Sequence, residues 1–240
     1  MASGIAGKGI LVTGGTTGIG RAIAMRLAER GGKLFIFGRH EKELNDGLAA
    51  IKAKGEVAGM TADQAKHDDV VEVFEAARKR CGRLDVVIAN AAIAAEGLAD
   101  MKDKDWRYVA DTNFSGYLDV AKQAIDAFGD DGGDLILVGS VSGDEPSEGE
   151  SVYAATKAGI AGFAAALRKE VAEKKIRVSL IEPGAVGSDM QESSPAEQRK
   201  KIAKHEMLKA EDVADLVEFI LQRPERCSIT EVRIEPRIAN

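Results

Sequence analysis

"GILVTGGTTGIGRAIAMRLAERGGKLFIFG", residues 9–38, governs how the rest of the chain is arranged. "GILVTG" is a short apolar run ended by glycine, the pattern of a strand buried on both faces. "IGRAIAMRLAERGG" places its apolar residues at helical spacing and stops at a glycine pair, so it predicts an amphipathic helix. "KLFIFG" is a second strand. A strand, a helix and a strand in such close succession form a right-handed crossover between parallel neighbours, because a right-twisted strand feeding a helix packs back onto its sheet only that way.

The same alternation continues to the end of the chain. "EKELNDGLAAIKAKG" is helical, "EVAGMTAD" extended, "DDVVEVFEAARKRCG" helical, and "LDVVIANAA" a strand with its loop. A long helix around "WRYVADTNFSGYLDVAKQAIDAF" follows, then the strand "DLILVGS", a helix containing Tyr153, the strand "RVSLIEPG", the helix "EDVADLVEFIL" and a strand in "SITEVRIEP". Strands separated by helices predict an α/β doubly wound, Rossmann-type parallel sheet of about seven strands in three α/β/α layers. With no repeat, low-complexity tract or Pro/Ser-rich linker, residues 1–240 are expected to form a single domain. The one irregular insertion, about 187–209, follows the carboxyl end of a strand, where ligands of such sheets bind, and is the expected substrate lid.

The 240 residues are 45% hydrophobic and 30% charged, enough for a sizeable core under a solvated surface. A formal charge of -6 argues against nucleic acid as a partner, since phosphate neutralisation needs a basic face. Cys81 and Cys227 lie far apart, outside any redox or metal spacing, and His40, His67 and His205 are equally scattered. No metal site is expected, and a reducing, cytoplasmic setting fits. The opening "MASGIAGKG" has no secretory pattern and no apolar run reaches bilayer length, so no membrane association is expected.

Between the first strand and helix stands "TGGTTGIG", with Gly14, Gly18 and Gly20 at the turn. Glycines there let the backbone approach a pyrophosphate while the helix N-terminus supplies amide donors, so the position predicts dinucleotide binding over a plain tight turn. Its spacing departs from G-x-G-x-x-G. Farther on, "YAATKAG" (153–159) sets Tyr153 and Lys157 four apart, on one face of a helix. A phenol titrates near 10, too high for proton transfer at neutral pH. An ammonium about 4 Å away, at an effective dielectric near 20, favours the phenolate by about 4 kcal/mol, on the order of three pK units. The pair is therefore expected to tune a proton donor for a carbonyl oxygen receiving a hydride. Ala154, Ala155 and Ala158 are expected to leave space for the ribose of a bound dinucleotide and for helix packing. The plainer alternative is a surface pair worth a few tenths of a kcal/mol.

T-G-x-x-x-G-x-G at 13–20, "ANAA" at 89–92, Asn113, Ser140, Tyr153/Lys157 and "PG" at 183–184, in this order, resemble the short-chain dehydrogenase/reductase family over nearly the whole chain. The resemblance implies a cofactor cradle of Gly14, Thr16, Thr17, Gly18, Ile19 and Gly20, with Asp63 on the adenine amine and Asn90 and Ala91 beside the adenosine ribose. It implies that Pro183, Gly184, Val186 and Ser188 frame the nicotinamide, with Ser188 on the carboxamide, and that Lys157 also anchors the ribose. Ser140 would orient the substrate oxygen, with Ser142 the competing choice. Asn113 would hold a relay water through its side chain and a local helix irregularity, although a buried structural asparagine fits the local sequence equally well. A homodimer or homotetramer is also implied.

Cofactor choice is written after the second strand. An acid there would accept from a ribose 2′-hydroxyl and repel a 2′-phosphate. The chain instead has Gly38, which leaves room, Arg39, whose planar fork suits phosphate, and His40, a further donor. NADP(H) is expected in preference to NAD(H), unless Arg39 merely pairs with Glu41 or Glu43. Ala89 and Ala92 depart from the family's "NNAG", and the C-terminus lacks its glycine-rich ending, which bears on oligomer packing and the substrate mouth. Arg199, Lys200, Lys201 and Lys204 would attract an acidic substrate or carrier, or form a solvated helix face. The expected activity is hydride transfer between NADP(H) and a small-molecule carbonyl or alcohol, with Asn113, Ser140, Tyr153 and Lys157 as the catalytic set. A non-catalytic NADPH-sensing regulator and a structural scaffold on the same fold are the alternatives.

Overall fold

Every central strand sends apolar side chains to both faces of the sheet, and two separate cores result. Ile10, Val12, Leu34, Ile36, Val86, Ile88 and Ile136 point to one face; Leu11, Phe35, Phe37, Val87, Leu135 and Leu137 point to the other. This two-sided burial explains why the strands read as unbroken apolar runs. The structure, a computed structural model, describes residues 4–188, 190–191 and 193–238. The strands are β1 (Gly9–Thr13), β2 (Lys33–Gly38), β3 (Val57–Thr61), β4 (Val86–Ala89), β5 (Gly133–Val138), β6 (Ile176–Pro183) and β7 (Glu231–Ile234). They form one seven-stranded sheet in the order β3-β2-β1-β4-β5-β6-β7, with every pairing parallel.

Helices α1 (Gly18–Glu29), α2 (Glu41–Lys52) and α8 (Ala210–Leu221) cover the first face. Helices α3 (His67–Cys81), α5 (Gly116–Phe128) and α6 (Ser151–Glu170) cover the second. The long helix expected around Trp106–Phe128 is α4 (Asp103–Ala110) joined to α5 through a π turn at Asp111–Ser115, so a local irregularity does fall at Asn113. Helix α7 (Pro195–Ala203) lies in the 187–209 insertion; Asp189 and Glu192 of that insertion, and residues 1–3 and 239–240 of the expected domain, lie outside the described residues.

The strand order reverses between β1 and β4, because β1 pairs with β2 on one side and β4 on the other. At such a switch point the loops leaving the two strands diverge and open a crevice at the carboxyl end of the sheet. The register Val138↔Ile181 brings the ends of β5 and β6 to one level, so the segments carrying Ser140 and Pro183 meet beside that crevice.

Candidate active site

A cleft of about 260 Å³ occupies this crevice, with walls drawn from the ends of six strands. Gly14, Thr16, Thr17, Gly18 and Ile19 line it after β1, Arg39 and His40 after β2, Asp63 after β3, and Asn90 and Ala91 after β4. Ser140, Tyr153 and Lys157 stand at the β5–α6 side, and Pro183, Gly184, Val186 and Ser188 after β6. Of the catalytic and cofactor-binding residues expected from the sequence, Gly20 and Asn113 are not part of its lining.

The glycine loop has the form an anion needs. Gly14 and Gly18 have φ of 62° and 52°, where a side chain would be strained. Gly20 is required by packing: a Cβ there would fall 2.3 Å from the Gly14 carbonyl oxygen. Thr17 caps α1 without any side-chain hydrogen bond, and the first turn has no acidic residue, so the amides opening α1 face the cleft without a local acceptor. Thr13, fully buried and the first residue of the glycine motif, ties this loop to the next: its Oγ1 accepts from Asn90 N at 3.0 Å and Ala91 N at 2.9 Å. Asn90 Nδ2 donates to Thr13 O at 3.1 Å and so braces the loop as well as lining the cleft.

At the far end one expectation is revised. The space a Cβ at Gly38 would take is filled by Thr16, whose Cγ2 would be 2.7 Å away, so this glycine accommodates a neighbouring side chain and does not open room for a phosphate. Arg39 pairs with neither Glu41 nor Glu43; its Nη1 donates to Tyr108 Oη at 2.7 Å, and that hydroxyl donates to Asp63 Oδ2 at 2.8 Å. Gln64 was also missed. Its Nε2 donates to Ala91 O and Thr112 O, both at 3.0 Å, while Gln64 Oε1 and Thr112 Oγ1 are buried polar atoms on the cleft wall with no partner among the described residues.

Asn113 is fully buried in the π turn. Its Oδ1 accepts from Ile93 N and its Nδ2 donates to Ile93 O, each at 2.8 Å. Each end of the amide thus bonds the loop after β4, the bracing expected of a buried structural asparagine, and the π turn supplies the local irregularity beside it. Neighbouring Phe114 explains a small residue in α6: a Cβ at Gly159 would stand 2.9 Å from its ring. Ala154 is buried, Ala155 and Ala158 are exposed, and none of the three lines the cleft, so the ribose space expected of them is not theirs to provide.

Tyr153 and Lys157 lie one turn apart on α6 with the Lys157 Nζ 5.6 Å from the Tyr153 ring centroid. Lys157 is 2% exposed, donates to Val138 O at 2.9 Å, and lies 5.3 Å from the ring centroid of fully buried Tyr117, which donates to the same carbonyl at 3.0 Å. Burial pulls the Lys157 pKa down to about 7. The Tyr153 pKa is raised, chiefly by burial, with a hydrogen bond from Ser140 opposing the rise and Glu150 adding to it. The direction at the phenol is therefore upward, not the lowering expected from the ammonium, because desolvation is the largest influence on both groups. Tyr153 consequently holds its proton at neutral pH. Ser140 lines the cleft beside it and accepts from Ser142 N at 3.2 Å, whereas Ser142 does not reach the cleft wall, which decides between the two serines as cleft residues.

The insertion is pinned at its neck. Val186 bridges Leu208 in parallel, Gly187 N donates to Leu208 O at 2.9 Å, and Leu208 N donates to Ala185 O at 2.8 Å. Ser194 and Glu197 form a capping box that starts α7 with Pro195 in its first turn. Gln198 Nε2 ties α7 back to Ser188 O at 3.1 Å, next to cleft residues Met190 and Gln191.

Residues 8–199 match the family model described as short chain dehydrogenase. A 3-oxoacyl-[acyl-carrier-protein] reductase of Homo sapiens is 36% identical over 216 residues, 89% of this chain and 90% of that one. An uncharacterized oxidoreductase of Staphylococcus epidermidis is 31% identical over 231 residues, 95% of this chain and 97% of that one. A solved short chain dehydrogenase from Burkholderia cenocepacia in complex with NADP superposes with a TM-score of 0.86 at 29% identity, covering 97% of this chain and 98% of that one. The chain belongs to the short-chain dehydrogenase family, and its activity is that of an oxidoreductase. Among the described residues no helix is long and apolar enough to cross a membrane, and no cluster of three or more His, Cys, Asp or Glu could hold a metal ion.

Proposed function

We propose that the protein is an NADP(H)-dependent reductase of ketones or aldehydes, or a dehydrogenase of the matching alcohols. The observation that carries this reading is that one cleft joins a phenol, a serine hydroxyl and a buried lysine at one end to an arginine at the other, with an uncapped helix N-terminus between them. These residues fit the cofactor. The α1 amides and the glycine loop suit its pyrophosphate, Arg39 and His40 a 2′-phosphate, and Asp63 the adenine amine, with Asn90 and Ala91 beside the adenosine ribose. Lys157 suits the second ribose, and Pro183, Gly184, Val186 and Ser188 the nicotinamide. When bound, the nicotinamide supplies or accepts the hydride.

In the reducing direction Tyr153 donates its proton to the substrate oxygen as negative charge develops there, and Ser140 gives that oxygen a second donor. Burial keeps the phenol protonated at neutral pH, the form that donation requires, while making it a weaker acid, so the cation at Lys157 has to offset that cost as the proton moves. Asn113 holds the loop through Ile93, a residue of the cleft wall, and so braces that wall. The 187–209 insertion serves as the lid, hinged at the Val186–Leu208 bridge. Two free thiols, Cys81 and Cys227, accord with a cytoplasmic setting, and a homo-oligomer is part of the same reading.

The test is to follow NADPH oxidation with ketones, aldehydes and 3-oxoacyl thioesters, the last suggested by the human relative's name. Turnover of at least one class is expected. NADPH binding without turnover of any class would indicate a sensor and contradict the proposal.

A further inference from the structure

Tyr108, on α4, belongs to none of the sequence motifs, yet it joins the two side chains assigned to the adenosine end of the cleft. Its hydroxyl accepts from Arg39 Nη1 at 2.7 Å and donates to Asp63 Oδ2 at 2.8 Å, and the Arg39 guanidinium lies 5.5 Å from the centre of its ring. Arg39 itself is exposed, and two acidic residues, Glu43 and Asp63, line the same cleft.

We propose that Tyr108 is a specificity-determining residue, which selects the 2′-phosphorylated cofactor by holding Arg39 ordered and apart from Asp63. This rests on the cofactor reading given above and extends it to a residue outside the cofactor motifs. Two physical effects act in the same direction. A free arginine side chain loses considerable rotamer entropy on gripping a phosphate, and a guanidinium already held by a hydroxyl and a ring face has lost much of it beforehand. The phenol also separates opposite charges. It gives Asp63 a neutral donor, so the carboxylate does not capture the guanidinium, which leaves Arg39 with donors in its planar fork for an incoming phosphate. The phenol pKa is raised, chiefly by burial and next by Asp63, so it remains a neutral hydroxyl. Asp63 has a further anchor, since its Oδ1 accepts from Ala65 N at 3.1 Å, so the strap has a fixed base.

The experiment is fluorescence titration of the intact protein with NADPH and with NADH, for wild type, Tyr108→Phe, Arg39→Ala and the double variant, with thermal denaturation as a check on folding. Tyr108→Phe is expected to weaken NADPH by about fivefold, the worth of one hydrogen bond, and to change NADH by less than about twofold. In the Arg39→Ala background the same change should leave the NADPH to NADH ratio unaltered, because the two residues act as one unit. If Tyr108→Phe weakens both cofactors equally, or adds its full effect to that of Arg39→Ala, Tyr108 only braces α4 and the inference is wrong. If Arg39→Ala itself leaves the ratio unchanged, the cofactor reading fails and takes this inference with it.

Discussion

Replacing Lys157 with methionine should stabilise the folded protein while removing one member of the proposed Tyr153–Lys157 pair. Burial lowers the Lys157 pKa from 10.5 to about 7, and the free energy equivalent of that displacement is about 5 kcal/mol. Two aromatic faces, at 5.3 and 5.6 Å, and the packing of the stem are lost on substitution; they offset about 2–3 kcal/mol of this. Val138 O keeps a donor in the variant, because Tyr117 already bonds it at 3.0 Å. The net gain is about 2–3 kcal/mol below pH 7, where both folded and unfolded chains hold the lysine proton and the folded state bears the full cost of a buried ammonium. From about pH 7 to 10.5 the folded state has released the proton and the unfolded state has not, so wild-type stability rises with pH and the advantage of Lys157→Met shrinks. Urea denaturation of both proteins at pH 6 and pH 9, compared at each pH, isolates the term. A variant less stable than wild type at pH 6, or a difference that does not change between the two pH values, would refute the reasoning.

Other outcomes follow from the same geometry. Asn113→Ala removes both hydrogen bonds that hold Ile93 and should cost about 2 kcal/mol in urea denaturation. Turnover should fall with it, because the cleft wall loses its brace. Ser140→Ala should lower kcat by about 100-fold, the scale of one lost donor to a developing oxyanion, while Ser142→Ala should stay within about threefold. Steady-state kinetics on a common substrate distinguishes them, and equal losses would show that the loop, not the hydroxyl, matters.

The fold class was legible because burial on both faces of a strand and on one face of a helix leaves a local pattern, so the strands could be marked in "GILVTG", "KLFIFG" and their successors, whereas their order in the sheet leaves no such pattern. Most of the cleft was legible for a related reason: its residues sit where strands end, and Gly14, Ser140 and Pro183 each follow an apolar run. Contacts between distant segments were not. Tyr108 reaches Asp63 across 45 positions, and Asn113 reaches Ile93 across 20, and neither spacing carries a periodic signal. Gly38 looked like room for a ligand because a missing side chain is visible in sequence, whereas Thr16 filling that space is not. The Tyr153–Lys157 spacing showed adjacency on a helix but not the depth of burial at Lys157, and depth is what sets the sign of both pKa displacements.

The account depends most on Tyr153 as the proton donor. Tyr153→Phe removes one oxygen and keeps the ring, so NADPH affinity and melting temperature should stay close to wild type while kcat for carbonyl reduction falls by about 100-fold or more. A Tyr153→Phe protein that turns over within about fivefold of wild type would contradict it.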